Sequence, residues 1–171
     1  MISARTSVFA DLQLMPAAVR WTAAAAAAAI AAVGVSAIVI AADVAFRSHL
    51  TADYVAQYTS ALMPRIGFRI LASAFEEVKW RLGLMTLLIG VARLALGRRP
   101  PDWFFIGVIA FVQVCNVADG LVAAPVYGTL RFFLPGGVWG WLYWRHGWLT
   151  ALAAHAGCHL IIDPALLIVL S

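Results

Sequence analysis

Hydrophobic positions in this chain come in long blocks, and the polar positions between them are few and clustered. The first block, Ala23 to Ala42, reads AAAAAAAIAAVGVSAIVIAA, 20 residues with one Ser and no charge. A helix of that length crosses a hydrocarbon core of about 30 Å. Arg20 and Trp21 flank one end and Arg47 the other, where interfacial anchors stand. A cleavable signal peptide is the competing reading; retention as an anchor is the expectation. Residues 1–20 are mixed, with Arg5 and Asp11, and are expected to form a short N-terminal interfacial segment. Residues 48–67 are polar and punctuated by Pro64.

Apolar sequence resumes from about Ile66 to Leu96, with a charged cluster inside it. GRRPP, residues 97–101, is a loop, since it joins positive charge to two helix-breaking prolines. Further apolar runs cover about Asp102 to Val117, about Leu130 to Trp144 and about Trp148 to Leu170, the first two separated by ADGLVAAP. The pattern predicts an all-α integral membrane protein, a single domain over residues 1–171. Its core would be a bundle of about five transmembrane helices, the second unusually long, around a polar intramembrane cavity.

Composition supports this. The chain is 64% hydrophobic and 12% charged, against about 25% charged in soluble domains. The net charge is +4, but no Lys/Arg block is long enough to track a phosphate backbone, so nucleic acid is excluded as a partner. The expected partners are membrane lipids and a membrane-bound protein or peptide. Arg5, Arg20, Arg98, Arg99 and Arg145 fall on one side of a five-span topology, which puts the N-terminus in the cytoplasm of a cell with a bacterial inner membrane. Arg47, Arg65 and Arg131 count against that assignment. Cys115 and Cys158 lie in apolar stretches and read as packed thiols, not a disulfide framework.

The cluster SAFEEVKWRLG, residues 73–83, puts Glu76, Glu77, Lys79 and Arg81 between two apolar runs. A charge at mid-bilayer costs roughly 2.5–3.5 kcal/mol on insertion scales, so such groups face a cavity and pair. Glu77 and Arg81 are four apart and share a helix face, whereas Glu76 is rotated from Glu77 by about 100°. One carboxylate is thus neutralised while its neighbour stays free for chemistry. The last run carries His155 and His159, also four apart on one face. Carboxylates and imidazoles gathered in a buried cavity suit general acid–base chemistry or metal binding. His49 and His146 fall in a loop and at a helix end and read as structural or interfacial.

EEVKWR at 76–81 matches EExxxR, and GGVWGWLYWRHGWLTALAAHAGCH supplies a Gly-spaced helix, a YxRxG turn and a His-bearing helix. In this order the chain resembles the CPBP (CAAX protease and bacteriocin-processing, Abi) family of intramembrane glutamic-type proteases, over about residues 66–163. Gly136, Gly140, Arg145, Gly147 and His155 fit its final motif region. The resemblance implies glutamate-dependent peptide hydrolysis in the membrane without metal or other cofactor. Glu76 would be the base, Arg81 the partner and positioner of Glu77, and His155 the histidine of the final motif.

Two positions depart from the family pattern. Counting from Phe111, the FxxxH histidine is Cys115, next to Asn116, and the Asn of HxxxN is His159. Either roles are exchanged, with Asn116 at the oxyanion and His159 assisting the base, or the fold persists as an inactive scaffold or partner-binding subunit of a membrane complex. A metalloenzyme using His155, His159 and a Glu is a third reading, but no HExxH is present.

Overall fold

The computed structural model describes residues 21–59 and 61–170, all helical or in short turns. The expected interfacial segment at 1–20 lies outside the described residues. Helix α1 (Trp21–Ala45) is followed by a 3₁₀ turn (Arg47–His49) and a short α2 (Ala52–Thr59). Helix α3 (Leu62–Glu76), a π-helical stretch (Glu77–Met85) and α4 (Thr86–Leu96) run on without a break, and Gly97 ends them at φ 62°. That left-handed conformation suits glycine, which has no Cβ to clash.

Helix α5 (Asp102–Ala123) passes the expected end at Val117 and bends there instead, at φ −126° and ψ 17°. The true break is Ala124, which is extended at φ −148° because Pro125 follows it. Next come α6 (Pro125–Gly128), a second π-helical stretch (Thr129–Phe133) and α7 (Leu134–His146). Gly147, at φ 89°, turns the chain into α8 (Trp148–Leu170).

Three helices, α1, α5 and α8, are long and apolar enough to cross a membrane. The other two long helical segments, 62–96 and 125–146, both contain π turns, and the first carries seven charged residues. Side-chain contacts fix the directions of all five. Arg47 donates to the carbonyls of Val169 (3.0 Å) and Leu170, so α1 and α8 end together. There its positive charge meets the negative end of the α8 dipole. Arg65 reaches Asp163 near that end, and Asp43 reaches Arg131. At the opposite end Asp102 faces both Arg99 and Arg145. Successive long segments therefore alternate in direction.

The core is built on small residues. Ala24, Ala28, Ala32, Val35 and Val39 of α1 are buried, as are Ala151, Ala154, Cys158 and Ile162 of the adjoining α8. Small side chains let helix backbones approach closely where lipid supplies no hydrophobic drive. Ser36 adds a polar tie, its hydroxyl shared between the carbonyls of Ala32 and Cys158. The outside is apolar, with Phe68, Leu71, Phe75, Trp103, Ile106 and Ile168 exposed. This suits lipid as the surrounding medium.

Where α6 leaves α5, a Cβ on Gly128 would sit 2.6 Å from the Gly120 carbonyl oxygen, against backbone that cannot yield. Gly128→Ala is expected to destabilise the protein by about 1–3 kcal/mol. Gly34→Ala, which meets open space, should change stability by no more than about 0.5 kcal/mol. Thermal unfolding in detergent micelles measures both, and equal midpoints would contradict the α5–α6 contact.

Candidate active site

The helix from 62 to 96 turns one stripe inward. Arg65, Ser73, Glu77, Arg81, Met85 and Ile89 are buried, and Arg69 is half-buried between the first two. These positions recur every four residues. In an ideal α-helix each such step drifts by about 40°, which would swing the stripe well round the helix. The π-helical stretch at Glu77–Met85 widens the turn and holds the stripe toward the bundle. One side chain supports it locally: Thr86 Oγ1 donates to the Arg81 carbonyl at 2.9 Å. Its hydrogen being spent there, Tyr143 donates its own hydroxyl to Thr86, at 2.7 Å.

Glu77 is fully buried and faces two partners. Arg81 Nε lies 3.5 Å from Oε2, an ion-pair separation without a well-formed hydrogen bond. His155 on α8 approaches Oε1 through Nδ1 at 2.9 Å. A carboxylate only accepts, so Nδ1 carries the hydrogen and donates. The residue that holds His155 is therefore Glu77, not its neighbour Glu76. His155 is also stacked on Trp139, ring centroids 5.3 Å apart and planes 14° from parallel.

One helical turn on, the arrangement repeats. His159 Nδ1 donates to Asp163 Oδ2 at 3.1 Å, and Arg65 Nε donates to Oδ1 of the same carboxylate at 2.9 Å. Each histidine thus has Nδ1 tied to a buried carboxylate, and each carboxylate has an arginine. Nε2 is the ring nitrogen left over in both.

Glu76, Arg81, Asn116, His155 and His159 line one cavity of about 280 Å³, with Arg69, Gln113 and Arg131 among the other wall residues. That volume holds several waters. Glu76 is half-buried, and no hydrogen bond or ion pair of its side chain occurs among the described residues. Glu77 lies behind the wall, in contact with His155 and Arg81.

On α5, Cys115 is exposed on the outer face, so the position where the family pattern places a histidine points away from the cavity. Two polar residues of the same helix reach it, Asn116 and the buried Gln113. Sequence reading missed Gln113. Its signal was a lone amide in an apolar run, FVQVCNV. Gln113 Nε2 donates to the Phe132 carbonyl at 3.1 Å. Its side-chain amide occupies the space that a Cβ on Gly136 would need, so Gly136 must be glycine for α5 and α7 to meet here. Arg81 Nη2 donates to the carbonyl of that same glycine at 2.9 Å. Gln113 Oε1 and Arg81 Nη1 remain buried without a hydrogen-bond partner, an acceptor and a donor converging on Gly136.

A second polar group adjoins the cavity and was also missed. Asp43, fully buried at the end of α1, accepts from Tyr54 and Tyr127, each at 2.7 Å, and pairs with Arg131 at 3.2 Å. Arg131 also donates to Tyr54 at 3.1 Å. Arg65 and Arg131, which weighed against the sequence-based orientation, are therefore buried ion-pair partners and not loop charges.

Chemically the wall offers one unpaired carboxylate, two imidazoles fixed in orientation, two carboxamides and arginines whose charge is largely matched. Among the described residues no group of three or more His, Cys, Asp and Glu is placed to hold a metal ion. No protein-family model matches the chain, and neither a curated protein nor a solved structure is significantly similar to it.

Removing Arg81 would leave the fully buried Glu77 carboxylate without its counter-charge. Breaking a buried pair in this way costs roughly 3–5 kcal/mol. Arg81→Ala should therefore sharply lower the yield and unfolding temperature of protein in detergent, whereas Glu76→Gln should leave both near wild type. Equal behaviour of the two variants would show that the Glu77–Arg81 pair is solvated.

Proposed function

We propose that this chain is an intramembrane, glutamate-dependent endopeptidase of the CPBP type that processes a membrane-associated protein or peptide. One observation carries the reading. Among the described residues Glu76 is the one carboxylate on the cavity wall and is unpaired, and it shares that wall with two histidines whose Nδ1 atoms are already committed. A base needs a free carboxylate, and its helpers need fixed rings with a bare nitrogen.

In the proposed reaction Glu76 takes a proton from water as the water oxygen attacks the scissile carbonyl carbon. Asn116 donates to the oxyanion that forms, the kind of contact that supplies a large electrostatic share of catalysis. His159, bare at Nε2, orients the water from the side opposite its Asp163 contact. The C–N bond then breaks, and the proton held by Glu76 passes to the departing amine.

The same proposal has the chain cross a bacterial cytoplasmic membrane five times, through α1, the 62–96 helix, α5, the 125–146 segment and α8. The alternating directions of these segments support it. Arg98, Arg99 and Arg145 lie at the end where α1 begins, against the exposed Arg47 at the other end, which favours a cytoplasmic N-terminus once Arg65 and Arg131 are discounted as ion-paired inside the bundle.

A second reading, a non-catalytic CPBP-like scaffold or partner-binding subunit, is favoured by the outward-facing Cys115, which leaves α5 without an imidazole at the cavity. Co-expression with a tagged membrane substrate separates the two. The protease reading expects Glu76→Gln and His159→Ala each to abolish processing, with a loss of at least about 100-fold, while Cys115→Ser is nearly silent. Processing that survives Glu76→Gln would establish the scaffold reading.

A further inference from the structure

Histidine carries two ring nitrogens, and which of them bears the hydrogen decides whether the ring can accept a proton from water. The structure fixes this at His159 through Asp163, a residue that belongs to none of the sequence motifs. Asp163 is fully buried on α8, one turn beyond His159. Its two oxygens serve different donors: Oδ2 accepts from His159 Nδ1, and Oδ1 accepts from Arg65 Nε. Arg65 Nη2 also reaches the Asp163 backbone carbonyl at 3.3 Å, and its Nη1 donates to the Gln57 carbonyl. The arginine therefore clamps the carboxylate at a set rotation.

We propose that Asp163, locked by Arg65, is the positioning residue of the site: it holds His159 in the Nδ1–H form so that Nε2 faces the cavity bare. This rests on the reading of the cavity as a hydrolytic site. The chemistry of the donors makes the assignment specific. Arginine can only donate, so the oxygen it meets must be an acceptor. A carboxylate has a second acceptor for the histidine. An Asn at 163 has one oxygen, which Arg65 would claim, turning the amide NH₂ toward His159. The imidazole would then have to accept at Nδ1 and carry its hydrogen on Nε2. The acceptor that orients the water for Glu76 would be lost with the packing nearly unchanged, as when an amide replaces the orienting carboxylate of a catalytic triad.

The test uses the full-length protein, ¹⁵N-labelled at histidine, in detergent micelles. The chain has four histidines, and the spectrum of His159→Gln identifies the resonance in question. Long-range ¹H–¹⁵N NMR of the wild type should show His159 as the Nδ1–H tautomer. Asp163→Asn should convert it to Nε2–H and lower processing of a co-expressed membrane substrate by at least about 100-fold. Adding Arg65→Met to Asp163→Asn frees the Asn oxygen for His159, so the double variant should regain the Nδ1–H form and part of the activity. A wild-type His159 in the Nε2–H form would overturn the proposal without any variant. So would an Asp163→Asn protein that loses activity with the tautomer unchanged, or one that changes tautomer and keeps activity. Failure of the hydrolytic reading is a separate result, namely processing that persists in Glu76→Gln.

Discussion

An ionised side chain loses its water when helices close around it, and it stays ionised only if an opposite charge and hydrogen bonds replace that water. Glu77, Asp163 and Asp43 are all fully buried, and each meets this demand through an arginine plus at least one further donor. The further donor comes from another element for Glu77 (His155) and for Asp43 (Tyr54 and Tyr127), and from the same helix for Asp163 (His159). Two of the arginines also cross between elements, Arg65 from α3 to α8 and Arg131 from the second π stretch to α1. The neutralising contacts are thus also the contacts that set how the helices lie against one another.

Both π-helical stretches occur where such an arginine must be presented. The stretch Glu77–Met85 keeps Glu77 and Arg81 on the inward stripe, and the stretch Thr129–Phe133 contains Arg131. A π turn is less favourable than an α turn and persists where surrounding contacts require it, frequently at functional sites. Here the requirement is visible. A stripe at steps of four residues from Arg65 to Ile89 stays directed inward only if the helix is locally widened. Glycine does the complementary work on the facing segment, where Gly136 leaves room for the Gln113 amide and Gly140 for Ile109.

With the buried charges matched, Glu76 is conspicuous. It sits next to Glu77 in sequence, yet the helical rotation between neighbours sends it to the cavity while Glu77 goes to the bundle interior. The same separation of tasks holds on α8. His155 and His159 take up the cavity wall, and the residues that orient them, Glu77 and Asp163, stand behind it. A polar wall with a rigid backing holds such groups in register.

The amino-acid sequence by itself determined an all-helical chain with three helices long and apolar enough to cross a membrane, because the Ala23–Ala42, Asp102–Val117 and Trp148–Leu170 blocks are long apolar runs with at most one charged residue each. It also determined that Glu77 and Arg81, and separately His155 and His159, share faces, since spacing within one helix is local geometry. What it left undecided are the meetings between helices. That His155 binds Glu77 and not Glu76, that Asp163 and Arg65 back His159, that α5 offers Gln113 and Asn116 while Cys115 turns outward, and that Arg131 answers Asp43 are all tertiary facts. They depend on a small rotation of each helix about its axis, which π turns, a kink at Val117 and close contacts at glycine set. A rotation of that size leaves the hydrophobic pattern unchanged and still decides which side chain reaches the cavity.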